Sequence, residues 1–288
     1  MSATPKTIQI FLPGGEPRGI RVAEITTRIV QDFEIPRSRR PDFRAMPESE
    51  LVGLYFLLGE EDADREKRLY IGQTGELASR LVAHNQKKDF WSRALVLISR
   101  TNSLTQTHAL FLEWYCIQQA LKAERFALEN GTGGSRPHTP APLEADCMEI
   151  FETGSWLLST LGFPFFDTLP AGIAANPSEE AFFLKGENVD GCGLYLPDGF
   201  LLRKDSRGRK DNVQALSEDR RKLRQKYIDA GIMRIEGKQV ILNKDHYFSS
   251  PSQAALVLLG RTSNGWKEWK TRDGRTLDEV KRQTSGGE

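Results

Sequence analysis

The sequence predicts an α/β protein of the α+β type, built from two small domains. The chain has 288 residues, more than one domain of typical size. Short apolar runs of strand length alternate with segments of helical periodicity. The stretch DTLPAGIAANPSEE has the composition of a linker. We therefore expect an N-terminal β extension (1–50), a first domain (51–166), a linker (167–180) and a second α+β domain (181–288).

Alternating and apolar runs predict the strands of the N-terminal half. TIQIFLP and IRVAEI predict two strands around a glycine turn within residues 6–26, and the Pro- and Arg-rich segment 35–43 predicts irregular structure. LVGLYFLLG (51–59) and LYIG (69–72) predict a hairpin with a long charged connection, followed by a helix over 76–86 and a strand over 94–99. We expect a mixed or antiparallel three-stranded sheet flanked by helices.

A long helix is predicted over about 105–127, with its start signal at Ser103 or Thr105. Its spacing predicts a buried stripe that runs through Leu110, Glu113, Ile117 and Ala120/Leu121. A buried carboxylate needs a partner, which Arg80 or a divalent ion could supply. The next segments predict a loop (129–142) and then a strand with a short helix (148–166).

The C-terminal part contains hairpin and helix signals in turn. A Pro-Asp-Gly turn predicts a hairpin over 193–206, and Ser217 and Gly231 bracket a basic helix. Another hairpin is predicted over 233–242 and a helix of small residues over 250–260.

Composition excludes several classes of protein. No run approaches 18 apolar residues, so no membrane span is predicted. The first residues lack a basic-then-apolar secretory pattern. Cys116, Cys147 and Cys192 form no CxxC pair, which argues against a zinc ribbon and fits a reducing cytosol. We expect a cytoplasmic protein.

Arg80 and His84 lie four residues apart and therefore share one face of the predicted helix. The helix begins just after the strand that carries Tyr70, so these side chains can converge at the end of the sheet. Arginine complements phosphate, and a phenol or imidazole can orient or deprotonate water. A carboxylate with waters is a typical Mg²⁺ site, so Glu113 completes a set suited to phosphodiester hydrolysis.

The order of these residues resembles the GIY-YIG nuclease superfamily. Gly53-Leu54-Tyr55 and Tyr70-Ile71-Gly72 are similar to its two half-motifs, and the likeness covers roughly residues 51–131. Further along the chain, Arg80 matches the helical arginine of the family and His84 its His-or-Tyr position. Glu113 matches its single glutamate and Asn130 its late asparagine.

The resemblance implies a DNA endonuclease with one Mg²⁺ or Mn²⁺ ion on Glu113. Tyr55 would act as general base or water positioner, and Tyr70 would bind the water or the phosphate. Arg80 would steady the scissile phosphate, and His84 would assist proton transfer or bind phosphate. One such site cuts one strand at a time, so double-strand cleavage would need a homodimer or sequential nicks.

The sequence departs from the family pattern at three points. The first half-motif is GLY, and the connection between the tyrosines is longer than in compact members. Gln73 stands where a lysine often follows YIG, and Lys87 and Lys88 are candidates for its role. We expect nucleic-acid contacts in this domain at Gly72, Lys87, Lys88 and Asn130.

The second domain carries a local surplus of positive charge. Residues 201–245 contain 13 Lys/Arg and 7 Asp/Glu, a surplus of 13 − 7 = +6. Clustered basic residues suit phosphate-backbone binding. The stretch SPSQAALVLLGRTSNGWKEWKTRDGRTL resembles a small domain of unknown function found after GIY-YIG modules and in proteins associated with restriction and modification. We expect DNA contacts here at Arg209, Lys210, Arg220, Arg221 and Arg224.

Two other functions fit the same residues. A non-catalytic DNA-binding adaptor would keep the nuclease fold and bind DNA without metal. An RNA-directed nuclease would prefer structured RNA to duplex DNA. A role in restriction, defence or DNA repair rests on the resemblance of the C-terminal stretch.

Overall fold

The computed structural model describes residues 5–59, 67–131, 133–168, 181–196 and 199–283. The chain divides into two compact units, and the described residues of the first lie within 5–168 and those of the second within 181–283. Each unit combines one large sheet with helices, so the predicted α+β class is confirmed.

The first unit is built on a seven-stranded sheet. Its order is β1-β2-β3-β6-β4-β5-β7, with every pair antiparallel except β5 and β7. The strands are β1 (Gln9–Phe11), β2 (Arg21–Glu24), β3 (Val30–Pro36), β4 (Gly53–Gly59), β5 (Arg68–Thr74), β6 (Arg93–Ser99) and β7 (Ala127–Leu128). The sheet is larger than the three strands expected, because β3 pairs along its whole length with β6 and joins the N-terminal segment to it.

Helices cover both faces of this sheet. They are α1 (Arg40–Arg44), α2 (Leu77–Lys87), α3 (Gln106–Ala123) and α4 (Ala141–Thr160), with short 3₁₀ turns at Arg37–Arg39 and Pro47–Glu50. On one face, Leu54 and Phe56 share a core with α3 and α4. On the other face, Tyr55 and Leu57 share a core with Leu77 and Leu81 of α2. Alternation along β4 therefore places Tyr55 on the α2 side.

Two predictions for this unit are wrong. The segment 148–166 is expected to form a strand and a short helix, but its residues up to Thr160 belong to the single helix α4. The predicted stripe of α3 is wrong at its ends, because Leu110 and Leu121 are exposed. The buried face runs instead through Ala109, Leu112, Cys116, Ile117, Ala120 and Ala123.

The second unit has its own seven-stranded sheet and core. The sheet order is β12-β13-β11-β9-β10-β14, and β8 also pairs with β9. The strands are β8 (Ala181–Gly186), β9 (Val189–Leu196), β10 (Gly199–Leu202), β11 (Arg207–Arg209), β12 (Met233–Glu236), β13 (Gln239–Leu242) and β14 (His246–Phe248). The helices are α5 (Glu218–Asp229), α6 (Pro251–Leu259) and α7 (Gly265–Glu268), and a short π-helical turn spans Glu279–Gln283.

The apolar helix α6 and Trp269, which is fully buried, form the centre of the second core. The predicted basic helix and both predicted hairpins are confirmed by α5 and the strand pairs β9–β10 and β12–β13. Residues 60–66 of the predicted charged connection, Pro197 and Asp198 of the predicted turn and residues 169–180 of the predicted linker lie outside the described residues. No helix in the described ranges is long and apolar enough to cross a membrane.

Candidate active site

Two tyrosines meet on the α2 face of the first sheet. Tyr55 of β4 lies directly opposite Gly72 of β5, and Tyr70 is the next residue of β5 on the same face. The two phenol rings stack with centroids 6.2 Å apart. A Cβ atom at position 72 would lie 2.3 Å from the Tyr55 hydroxyl oxygen. The glycine of the second half-motif therefore leaves the space that the Tyr55 phenol occupies.

Helix α2 brings an imidazole and a guanidinium to the same phenol. Leu77 and Leu81 bury the helix against the sheet, and His84 continues that buried face at 6% exposure. The Tyr55 hydroxyl lies 2.9 Å from Nε2 of His84, and Nε of Arg80 donates to the same hydroxyl at 2.9 Å. The sequence predicts that Arg80 and His84 converge with Tyr70. In the structure His84 lies beside Tyr70, and both Arg80 and His84 contact Tyr55, which that prediction did not include.

The direction of the hydrogen bonds at Tyr55 follows from its burial. Arg80 can only donate, so the phenol oxygen accepts from it. Tyr55 is 0% exposed, and among the described residues the remaining partner of its hydroxyl is Nε2 of His84. A buried O–H without an acceptor would be costly, so Tyr55 donates to a neutral His84. The result is a directed chain from Arg80 through Tyr55 to His84.

Burial and neighbouring charges keep His84 and Tyr55 uncharged and Arg80 charged. Burial, followed by the positive charges of Arg80, Lys88 and Lys87, lowers the pKa of His84 to about 4. Burial raises the pKa of Tyr55 well above its usual value, although the hydrogen bond from Arg80 opposes the change. The hydrogen bond to Tyr55 also raises the pKa of Arg80. At neutral pH the imidazole and the phenol are therefore uncharged and Arg80 is charged.

Tyr70 occupies the outer position of the tyrosine pair. It is half-buried, in contrast to Tyr55, and its ring centroid lies 5.3 Å from that of His84. The ammonium group of Lys88 sits 4.1 Å from the centroid of the Tyr70 ring, within the range of a cation–π contact. Lys87 is exposed. Lys87 and Lys88 are the candidates for the role of the lysine that often follows YIG. Of these two, Lys88 is in contact with a site tyrosine.

Glu113 of helix α3 interacts through its charge with Arg80 and Tyr55. Thr105 and His108 cap the start of that helix reciprocally, so of the two predicted starts, Ser103 and Thr105, the helix uses Thr105. Burial raises the pKa of Glu113, against the lowering effects of the Gln73 backbone N–H and the charge of Arg80. In the part of the chain that the structure describes, Glu113 forms no ion pair within 4.0 Å. Its half-buried carboxylate is therefore open to a cation.

A link between Gln73 and Gln106 was not predicted from the sequence. The Gln106 amide donates to the side chain of Gln73, while the Gln73 backbone faces Glu113. Gln106 lies seven residues before Glu113, so the two occupy one face of α3. Gln73 thus ties the end of β5 to α3 at two points. The predicted helix start at Thr105 was the signal that could have placed Gln106 on the site face.

Asn130 has a structural role in this arrangement. Its Oδ1 accepts from the backbone N–H of Ile71 at 2.9 Å, and its Nδ2 donates to the Ile71 carbonyl at 2.6 Å. The amide therefore acts as a one-residue extension of the sheet beyond β7. It holds the strand between Tyr70 and Gly72.

Arg224, predicted from the sequence to contact nucleic acid, is buried inside the second unit. Arg224 is 2% exposed, and its guanidinium donates to the carbonyls of Val257 (2.9 Å), Lys210 (2.7 Å) and Arg209 and to Oδ1 of Asn212 (2.9 Å). Burial lowers its pKa to about 10. Arg224 thus joins α5 to α6 and to the end of β11, and its donors are used inside the second unit.

Most of the other basic residues predicted to contact DNA in the second unit form hydrogen bonds within that unit. Arg221 donates to the carbonyls of Leu216 (2.9 Å) and Gln214 (2.6 Å), and Arg220 donates to the Thr262 hydroxyl. Arg209 donates to the Glu187 carbonyl at 3.1 Å, and Lys210 is exposed. The basic helix therefore uses its arginines mainly to fix neighbouring segments.

The family comparison concerns the second unit. Residues 182–281 match the model of a family described as a domain of unknown function (DUF4357), in agreement with the expected C-terminal domain of unknown function. No curated protein and no solved structure matches the chain. The nuclease resemblance of residues 51–131 therefore rests on its own residues and their geometry.

Proposed function

We propose that the first unit is a metal-dependent DNA endonuclease that hydrolyses phosphodiester bonds. The supporting observation is the Tyr55 hydroxyl, held between Arg80 and His84 at 2.9 Å from each, with Tyr70 and Glu113 beside it. These groups supply a phosphate-binding cation, a proton-transfer chain and a carboxylate whose charge interacts with Arg80 and Tyr55.

The carboxylate is suited to a hydrated divalent ion. Within the described ranges, no group of three His, Cys, Asp or Glu side chains forms a metal cluster. Mg²⁺ usually keeps several waters and takes one or two carboxylates together with substrate phosphate, so a single open Glu113 fits Mg²⁺ or Mn²⁺. When bound, such an ion supplies positive charge that stabilises the leaving oxygen.

Arg80 positions the scissile phosphate. Its side chain is exposed in part, although its Nε is engaged with Tyr55. A guanidinium has further donors that match phosphate oxygens in a fork geometry. When Arg80 turns its donors to the phosphate, it frees a lone pair on the Tyr55 oxygen.

The tyrosines and His84 handle the attacking water. Tyr70, on the solvent side, orients the water by hydrogen bonding. The Tyr55 oxygen takes one proton from the water and passes its own proton to neutral Nε2 of His84, so His84 gains one positive charge as hydroxide forms. The hydroxide forms the new P–O bond while the P–O bond to the leaving oxygen breaks. The leaving oxygen takes a proton from solvent, and His84 returns its proton through Tyr55 to solvent. One site cuts one strand, so the first product from a plasmid is the nicked circle.

Plasmid cleavage by wild type, Glu113→Ala and Glu50→Ala tests this proposal. Glu50 is an exposed glutamate outside the site and serves as the matched control. We expect wild type and Glu50→Ala to nick supercoiled DNA with Mg²⁺ or Mn²⁺ and not with EDTA, while Glu113→Ala is inactive.

Three results would contradict the proposal. Cleavage that survives Glu113→Ala would show that Glu113 is not the metal-binding carboxylate. DNA binding in EDTA without cleavage under any metal would indicate the non-catalytic adaptor. Preferential cleavage of structured RNA over duplex DNA would reassign the substrate.

A further inference from the structure

The sheet of the second unit has one face turned away from α6. A Cβ atom at Gly208 would lie 2.4 Å from the backbone of Leu258, and one at Gly191 would lie 2.5 Å from its side chain. These glycines therefore face α6. Because side chains alternate along a strand, Arg207, Arg209 and Asp190 lie on the opposite face. We name this the outer face.

Strand register places three cations of the outer face in one row. Arg234 pairs with Ile241, Ile241 with Arg207, Arg207 with Asp190, and Asp190 with Lys185. Neighbouring strands are about 4.8 Å apart, so successive cations of the row lie roughly 10 Å apart. Arg207, Arg234 and Lys185 are all exposed.

The charges of this row are weakly neutralised. Among the described residues, the Arg207 guanidinium forms no ion pair within 4.0 Å. Lys185 pairs with Asp190 at 3.1 Å and Arg234 with Glu236 at 3.4 Å, and all four side chains are at least 45% exposed. Exposed pairs of this kind contribute little and exchange readily for another anion.

Helix α5 offers a poorer surface for anions although its sequence is more basic. Arg224 is buried, and Arg221 is committed to the carbonyls of a neighbouring loop. Lys222 is 72% exposed, and its pair with Glu218 at 4.0 Å is as open to exchange as the pairs of the row. Arg207, which is exposed and forms no ion pair within 4.0 Å in the described part of the chain, lies on the outer face.

We propose that the outer face, through Arg207, Arg234 and Lys185, binds the sugar–phosphate backbone of duplex DNA. The argument for this partner is charge complementarity. A regular row of exposed cations across five strands suits a polyanion of regular charge spacing, and arginine forks suit phosphate oxygens. This function of the second unit is independent of cleavage by the first.

Fluorescence anisotropy of the full chain with a labelled duplex, in EDTA and over a range of salt, tests the proposal. The variants are Arg207→Gln, Arg207→Gln with Arg234→Gln, and Lys222→Gln as the control of equal charge change on α5. Thermal unfolding of each variant checks that the second unit remains folded. EDTA prevents cleavage, so binding is measured whether or not the chain is a nuclease.

We expect the slope of log K against log salt to become shallower by about 1 for Arg207→Gln and about 2 for the double variant, with no change for Lys222→Gln. An equal effect of Lys222→Gln would place the contact on α5 and overturn the proposal. So would unchanged binding by the double variant, absence of duplex binding by wild type, or tighter binding of RNA than of duplex DNA.

Discussion

Gly72 and Tyr55 lie opposite each other in β5 and β4, and the phenol of Tyr55 fills the space where any other residue at position 72 would place its Cβ atom. The same phenol contacts Arg80 and His84. Residue 72 therefore controls the centre of the site without any side chain of its own.

Gly72→Ala should displace the Tyr55 ring, because its new methyl group would lie 2.3 Å from the phenol oxygen. We expect a loss of about 1–3 kcal/mol in the free energy of unfolding and loss of cleavage. The control is Gly75→Ala, whose added Cβ would meet only the Gln106 side chain, at 3.5 Å. Urea unfolding and plasmid nicking measure both effects. Equal behaviour of the two variants would show that the ring moves aside freely.

His84 should remain neutral well below the usual range for histidine. Burial lowers its folded-state pKa from 6.5 to about 4, so the unfolded chain binds more protons than the folded chain between these values. The stability contributed by the neutral imidazole is present above pH 6.5 and is lost as pH falls toward 4. NMR titration, with the His84 signal assigned from His84→Gln, should give a midpoint near 4. A midpoint near 6.5 would contradict the buried, neutral imidazole.

Asn130→Ala should destabilise the first unit rather than weaken DNA binding. The change removes both hydrogen bonds to Ile71, whose backbone groups lie beside a buried side chain. We expect a loss of about 1–3 kcal/mol in the free energy of unfolding and unchanged duplex affinity in EDTA. Asn130→Asp, which keeps the acceptor, should lose less. Weaker DNA binding at unchanged stability would instead support the nucleic-acid contact predicted from the sequence.

Tyr55→Phe and Tyr70→Phe should differ in their effects. Tyr55→Phe keeps the buried ring but cuts the chain between Arg80 and His84, so single-turnover cleavage should fall by about 10²–10⁴-fold. Tyr70→Phe should retain the fold and weaken water positioning alone, with a smaller loss. Equal, small losses would indicate that neither hydroxyl carries a proton in the rate-limiting step.

Much of the site was predictable because its signals are local. The two half-motifs fall on paired strands, and the i,i+4 spacing of Arg80 and His84 places them on one helix. Burial was harder to foresee. Tyr55 is closed to solvent while Tyr70 is half-exposed, and only the packing of α2 over β4 distinguishes them.

The errors have identifiable physical causes. Strand β3 lacks a simple apolar alternation because Asp32 and Glu34 are fully buried in it; Glu34 is satisfied by Arg21 and Arg93 from neighbouring strands. Burial raises the pKa of Asp32 well above its usual value. The arginines that pair with Glu34 lie on other strands, so the sequence around Glu34 does not show that its charge is paired.

The helices show a second kind of ambiguity. Helix α3 contains two apolar stripes of similar spacing, offset by one or two residues, and the sheet selects the one with Ala109, Leu112 and Cys116. In α4 the β-branched and aromatic residues between Met148 and Trp156 favour a strand locally, but packing on β3 and α3 supports a continuous helix. Periodicity alone does not choose between these solutions.

The most direct test of the proposed function is the single-turnover rate of plasmid nicking by wild type and Glu113→Gln as a function of Mg²⁺ concentration. Glu113→Gln keeps the size of the side chain and removes its charge, and since burial raises the pKa of this carboxyl, the variant should be at least as stable as wild type at pH 7. The account predicts saturable, Mg²⁺-dependent nicking by wild type and none by Glu113→Gln. Equal rates for the two proteins, or no nicking by folded wild type at any Mg²⁺ concentration, would contradict it.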